Sequence, residues 1–230
     1  MIRVRAWTAS AVLVALAVSG LTAPARADGG QTRGHEGNYD PGDWSLTGPA
    51  FMHSGGAAYE LTLNLPNAVP QGGVGLTFAA DNKRMYVPAS RTLPEGTQGA
   101  LNFRLSAPSD VLGDVTITAR LDGVAKTRSH TTRVRPGLSN FEVPRPTYGG
   151  RTYEGKVRLN GVTDVPLTVA LASSTPAFKL PSEVTVPAGR SSVTFKVTTA
   201  PVTDVVFVKI TVTLDRDILK WDEVLEPAPH

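Results

Sequence analysis

The chain has 230 residues, of which 23 are Lys or Arg, 20 are Asp or Glu, and 41% are hydrophobic. This apolar fraction argues against disorder over the whole length, and no apolar run beyond the first 27 positions is long enough to span a bilayer. The absence of cysteine excludes a disulfide scaffold, Cys-ligated metal sites and a Cys nucleophile.

Residues 1–27 have the pattern of a secretory signal peptide. Arg3 and Arg5 precede an apolar stretch, and Ala25-Arg26-Ala27 places small residues where a signal peptidase needs them. We expect cleavage after Ala27, which leaves 20 basic and 20 acidic side chains. A neutral chain without a Lys/Arg cluster predicts neither nucleic-acid binding nor membrane insertion.

Residues 28–44 are predicted to form a flexible N-terminal arm, because the region from Asp28 to about Ala50 is rich in Gly and poor in apolar residues. An extended amphipathic segment can add a strand to the sheet edge of a partner. The residues predicted to bind a partner in this way are Tyr39, Asp40, Asp43, Trp44 and Leu46. The alternative is that Trp44 and Leu46 begin the first strand of a β-domain, from which only residues 28–43 extend.

Beyond the arm, apolar residues alternate with polar ones along short segments separated by Pro and Gly. Examples are Leu61, Leu63 and Leu65, and later Val208, Ile210, Val212 and Leu214. This period of two predicts half-buried antiparallel strands, about seven in each half of the chain. Sheets with one apolar face must bury those faces against each other, so the pattern predicts β-sandwiches.

The pattern occurs twice, at an offset of 93 to 94 residues. Tyr59-Glu60 matches Tyr153-Glu154, and Leu121-Asp122 matches Leu214-Asp215. The repeat predicts two domains, residues 45–136 and 137–230, each of a size that folds without a disulfide. Three prolines in residues 135–147 predict a semi-rigid linker between them.

The second unit resembles the immunoglobulin-like repeats of bacterial secreted and surface proteins, here of actinobacterial appearance. The resemblance lies in YGGRTYEGKVRL, in VPLTVALASSTPAFKLPSEVTVPAGRSSVTFKV and in VKITVTL, and the first unit is a looser match through YVPASRTLPEGTQGALNFRL. It implies an all-β chain of two tandem immunoglobulin-like sandwiches. The family motif is structural and carries no catalytic residues, so the resemblance implies a scaffold or interaction module.

The residues themselves predict no enzyme, no metal site and no cofactor. The histidines after the signal peptide, His35, His53, His130 and His230, are expected in turns, in the arm or at the terminus, with no pair at metal-ligand spacing. No GxSxG elbow occurs, and the repeated Tyr-Glu pair favours a packing role over a unique active site. Three oxygen-bearing side chains in NYDPGDW are more typical of a turn than of a calcium loop.

The sequence therefore predicts a secreted, non-enzymatic adaptor, spacer or adhesion subunit that binds another secreted or cell-surface protein within a larger assembly. Either release from the cell or non-covalent retention at the cell wall is compatible with this role, and the oligomeric state is left open. The alternative is a module that binds carbohydrate or cell wall, which predicts aromatic side chains clustered on one exposed face.

Overall fold

The computed structural model describes residues 39–229, which form seventeen strands and no helix. The predicted signal peptide, residues 28–38 of the predicted arm, His35 and His230 lie outside the described residues. The strands of the first sandwich are β1 (Ser45–Thr47), β2 (Phe51–His53), β3 (Tyr59–Leu65), β4 (Val74–Ala80), β5 (Arg91–Leu93), β6 (Gly99–Leu105), β7 (Gly113–Leu121) and β8 (Arg128–Arg135). Those of the second are β9 (Leu138–Glu142), β10 (Thr147–Tyr148), β11 (Thr152–Leu159), β12 (Leu167–Ser173), β13 (Phe178–Lys179), β14 (Glu183–Val186), β15 (Ser192–Thr199), β16 (Val206–Leu214) and β17 (Asp217–Glu226).

The first sandwich consists of a three-stranded sheet in the order β1-β3-β6 and a five-stranded sheet in the order β2-β8-β7-β4-β5. Its leading strand is divided: β1 pairs antiparallel with β3, and β2 then crosses to the other sheet, where it runs parallel to β8. This order, with strands that switch sheets between neighbours in sequence, is that of an immunoglobulin-like sandwich.

The second sandwich has the same order, with sheets β13-β15-β11-β9 and β10-β17-β16-β12-β14. Its leading strand is also divided, and β10 runs parallel to β17 as β2 does to β8. The short strand β13 pairs with β15, and in the first sandwich an isolated bridge between Tyr86 and Ser106 takes its place. The fold class predicted from the sequence, an all-β chain of tandem immunoglobulin-like sandwiches, is confirmed.

The alternating residues fill one core in each sandwich. Leu61, Leu63 and Leu65 of β3 are fully buried, while Thr62 between them is half-buried and Asn64 is exposed. The second core is built in the same way around Phe141, Val169 and Val212. Each fully buried Leu or Phe contributes about 1.5–3 kcal/mol relative to its exposed state, so this alternation sets the register of every long strand.

The predicted linker over residues 135–147 is wrong in its extent. Strand β8 continues to Arg135 and β9 begins at Leu138, so that only Pro136 and Gly137 connect the sandwiches. The other two prolines lie between β9 and β10, where the leading strand leaves one sheet for the other and needs no ladder hydrogen bond.

Candidate functional site

The structure places the five residues predicted to bind a partner in two different environments. Trp44 is 1% exposed and Leu46 6% exposed, and both belong to the core of the first sandwich. Tyr39 is half-buried against that core, and Asp40 and Asp43 are exposed. Burial, and then the nearby Asp40 carboxylate, raises the pKa of Tyr39. Partner binding through these five residues stays a prediction. Trp44 and Leu46 are core residues of the first sandwich, so their side chains face its interior.

Polar contacts fix the segment from Tyr39 to Trp44 on the sandwich. The Tyr39 hydroxyl donates to the Asn67 carbonyl at 2.9 Å, and Asp40 accepts from the Gly42 amide at 2.9 Å in a local turn. The Arg128 guanidinium donates to the Trp44 carbonyl, lies 5.6 Å from the centre of the indole ring and pairs with Asp43 at 2.8 Å. The last six residues of the predicted arm are therefore ordered against the first sandwich.

A set of polar contacts that sequence reasoning missed lies where the two sandwiches meet. From the first sandwich it includes His53, Ser54 and Tyr59, and from the second it includes Asn160, Asp215 and Asp217, with Pro136 and Gly137 between them. We call this set the junction. His53 is 2% exposed, and its Nδ1 lies 2.9 Å from the Pro136 carbonyl oxygen.

Tyr59 connects the two sandwiches through a single hydroxyl. This hydroxyl accepts a hydrogen bond from the His53 amide at 3.0 Å and donates one to the Asp215 carboxylate at 2.9 Å. Arg216 lies over the Tyr59 ring, 5.4 Å from its centre, and donates to the Ala58 carbonyl at 3.3 Å. Burial, with Asp215 adding to it, raises the pKa of Tyr59 to about 12, so the phenol stays neutral and able to donate at ordinary pH.

The acidic residues of the junction lie on one hairpin. Strands β16 and β17 are joined by Asp215 and Arg216, and Asp215 has a φ of 53°, in the left-handed region that Asp tolerates in tight turns. Asp217, the first residue of β17, accepts from the Leu138 amide at 2.6 Å. Burial raises the pKa of Asp217, while this hydrogen bond and the nearby His53 oppose the rise. The hairpin thereby bonds to the first sandwich through Asp215 and to the first residue of β9 through Asp217.

Ser54, Gly137 and Asn160 complete the junction. The Asn160 amide group exchanges hydrogen bonds with the buried Ser54 hydroxyl, and the Gly137 amide donates to the Asn160 side chain at 3.1 Å. A side chain at Gly137 would overlap the Ser54 carbonyl oxygen, so the close approach of the chains requires glycine there. Ser54 is fully buried and its hydroxyl accepts from the Asn160 side chain and the Gly137 amide, so this hydroxyl has a structural role in the junction.

The predicted places of two histidines are wrong. His53 is the last residue of β2 and His130 lies within β8, where its Nε2 is 3.0 Å from the Pro49 carbonyl oxygen. Both were expected in irregular segments because their strands have little apolar alternation. Within residues 39–229 no group of three His, Cys, Asp or Glu side chains is placed to hold a metal ion.

The repeated tyrosines have matching roles inside their sandwiches. Tyr59 in β3 accepts from the amide of His53, at the end of β2, and Tyr153 in β11 accepts from the amide of Tyr148, at the end of β10, at 2.6 Å. Each tyrosine thus fastens the second part of the divided leading strand. They differ in the hydroxyl proton, which Tyr153 donates to the Tyr148 carbonyl and Tyr59 donates to the other sandwich.

The exposed aromatic side chains of the described residues lie on separate elements. Phe51 is on β2, Tyr86 lies between β4 and β5, and Phe207 is on β16 of the second sandwich. Carbohydrate binding stays an alternative prediction, and the described residues do not form the cluster of exposed aromatic side chains that it predicts. No helix capable of crossing a membrane occurs among the residues that the structure describes.

No family model matches the chain, and no curated protein matches it. Among solved structures, the chain is similar to Escherichia coli alpha-2-macroglobulin activated by porcine elastase, with 14% identity and a TM-score of 0.34 over 81% of this chain and 22% of that one. The chain thus spans about a fifth of that protein. The D00-D0 domain of intimin gives 12% identity and a TM-score of 0.34 over 81% of this chain and 100% of that one. Domains 4 and 5 of the S-layer protein SbsC give 16% identity and a TM-score of 0.27, over 82% of this chain and 98% of that one. At these TM-scores the similarities carry no argument about function.

Proposed function

We propose that the chain is an exported, non-enzymatic spacer or adaptor that holds two immunoglobulin-like sandwiches at a fixed separation within a larger extracellular assembly. The observation that carries this proposal is the junction. A linker of two residues alone would leave the sandwiches free to rotate, whereas here Ser54 bonds to Asn160 and Tyr59 to Asp215 across the two sandwiches.

The direction of the chain supports a spacer. The segment that includes Tyr39 bonds to Asn67, in the loop after β3 and at the end of the first sandwich opposite the junction. Strand β17 begins at the junction, where Asp217 bonds to Leu138, and runs ten residues away from it, or about 34 Å at 3.4 Å per residue. Tyr39 and the C-terminal end of β17 therefore lie on opposite sides of the junction, which supports a spacer.

The absence of cysteine allows a direct test by pulsed electron paramagnetic resonance with paired spin labels. Labels at Arg120 and Lys220, both exposed, report the distance between the two sandwiches. Labels at Asn64 and Arg120 report how broad the distance distribution is when both labels lie on one sandwich. We expect distance distributions of similar width for both pairs. A much broader distribution for the pair that spans the junction would show that the sandwiches reorient freely and would refute a fixed spacer.

An adaptor also needs a partner, and a second experiment addresses it. The tagged chain is incubated with the proteins of its own culture medium and cross-linked, with a variant that lacks residues 28–38 as the matched control. A stoichiometric protein partner supports the adaptor role, and its loss from the control assigns binding to the predicted arm. Retention by purified cell-wall glycan alone would favour the carbohydrate alternative.

A further inference from the structure

We propose that the two sandwiches jointly form a docking surface for an extended protein segment that carries a carboxylate beside aliphatic side chains. The surface consists of Phe51, Leu112 and Arg135 of the first sandwich and Val162 of the second, and we call it the composite surface. It rests on the proposed function, because it exists only while the junction holds both sandwiches together.

The apolar part of the composite surface comes from both sandwiches. Phe51, Leu112 and Val162 are 41%, 42% and 63% exposed. Leu112 packs toward Gly161, where a Cβ would lie 2.6 Å from the Leu112 Cδ1 atom and 3.5 Å from Pro136. Val162 follows Gly161 directly, so an aliphatic side chain of a partner could contact both sandwiches at once.

The charge of the composite surface comes from Arg135. Its guanidinium lies 4.4 Å from the centre of the Phe51 ring, and its buried Nε has no hydrogen-bond partner among the described residues. Arg135 takes part in no ion pair between described residues, whereas the adjacent Arg133 pairs with both Asp114 at 3.1 Å and Asp164 at 2.8 Å. Stacking on an aromatic ring orients the guanidinium, which suits planar recognition of a carboxylate.

The neighbouring charges favour a single carboxylate over a polyanion. Asp114 and Asp164 already pair with Arg133, so among the described residues the surface offers one cation, Arg135, to an anionic group and no row of cations for a chain of phosphates. An Asp or Glu side chain of a protein segment needs only Arg135. Its aliphatic neighbours would cover the exposed apolar side chains of Phe51, Leu112 and Val162.

Selection from a phage-displayed library of random dodecapeptides on the purified chain tests this proposal. We expect enrichment of peptides in which Asp or Glu stands next to Leu, Ile or Val. A synthetic peptide of the enriched sequence should bind Arg135→Gln at least about tenfold more weakly than the wild type, the loss expected when one partner of a charge-assisted pair is removed. Arg135→Lys, which keeps the charge and loses the planar geometry, should bind with intermediate strength.

Arg151→Gln is the matched control. Arg151 lies over the Tyr148 ring in the second sandwich, 5.6 Å from its centre, and its replacement should leave peptide binding unchanged. Val162→Ser should weaken binding severalfold without lowering the unfolding temperature, since its side chain is 63% exposed, and Leu112→Ser should weaken binding to a similar extent.

The spin-label distances separate this proposal from the proposed function. A narrow distance distribution without any enriched peptide overturns the composite surface and leaves the fixed spacer intact. Enriched peptides without an acidic residue, or unchanged binding by Arg135→Gln, also overturn it. A broad distribution refutes the spacer itself, and peptide binding that persists in that case shows that the surface does not need both sandwiches.

Discussion

Replacement of Tyr59 by Phe removes one hydroxyl group that serves both the first sandwich and the junction. The ring stays in the core, where Tyr59 is 5% exposed, so the change deletes hydrogen bonds and little packing. The buried amide of His53 loses its acceptor, and the exposed Asp215 loses a donor that water can replace.

The expected magnitude follows from this asymmetry. An unsatisfied buried amide costs about 1–3 kcal/mol, while the lost bond to an exposed carboxylate adds little because the carboxylate becomes hydrated. For a domain of this size each 1 kcal/mol lowers the unfolding temperature by about 4–8 °C, so a loss of ~2 kcal/mol predicts a decrease of about 10 °C. Urea unfolding followed by circular dichroism measures the free energy of unfolding, and Trp44 and Trp221 provide one fluorescent reporter in each sandwich.

The pH dependence gives a second readout. The pKa of Tyr59 is raised from 10.0 to about 12, so between these values the unfolded chain loses a phenolic proton that the folded chain retains. The folded state then binds more protons, and the contribution of this group to stability decreases as the pH rises through that window. Tyr59→Phe should lack this part of the alkaline destabilisation.

Tyr153→Phe is the matched control, because Tyr153 makes the equivalent bonds entirely within the second sandwich. Both variants should lose stability, but only Tyr59→Phe should broaden the distance distribution between labels at residues 120 and 220. Equal broadening in both variants, or a loss of less than about 0.5 kcal/mol in Tyr59→Phe, would refute the assignment of the Tyr59 hydroxyl to the junction.

Three further substitutions test the buried polar groups and the core. Because burial raises the pKa of Asp217, the contribution of this carboxyl to stability decreases as the pH rises through that raised value. Asp217→Asn keeps an acceptor for the Leu138 amide, so its free energy of unfolding in urea near neutral pH should match or exceed that of the wild type. A clear loss of stability there would contradict this account. Arg145→Ala leaves Glu223, only 1% exposed, without its cation and should lower the free energy of unfolding by about 1–3 kcal/mol, and an unchanged urea midpoint would argue against this pairing. Trp44→Ala should lower the free energy of unfolding by about 3–5 kcal/mol, because Trp44 is a core residue. A loss below about 1 kcal/mol would show that Trp44 belongs to the arm and not to the core.

The long strands were predictable from the sequence because their side chains alternate between a core and solvent. Strand β7 has Val115, Ile117, Ala119 and Leu121 buried at every second position, and this pattern alone identifies it. Strand β2 could not be recognised in this way, since it has three residues and pairs through its backbone with β8. His53 was misplaced for that reason.

The junction was not predictable from a single sequence because its partners are far apart along the chain. Tyr59 and Asp215 are separated by 156 residues, and neither stands in a pattern that relates it to the other. The repeat identified Tyr59 with Tyr153 and so pointed correctly to a structural role. It could not show that one of the two hydroxyls bonds outside its own sandwich.

This difference between two equivalent tyrosines bears directly on how the chain could act as a spacer. In the second sandwich, the Tyr148 carbonyl accepts the proton of Tyr153, so that device is complete within the domain. In the first sandwich, β2 supplies the amide of His53 as donor, and the acceptor is the Asp215 carboxylate on the hairpin of the neighbouring sandwich. A contact that fastens a strand in one copy therefore also bonds to the neighbouring domain in the other, and the proposed spacer would depend on such side-chain bonds, together with the Ser54–Asn160 pair, more than on the length of the linker.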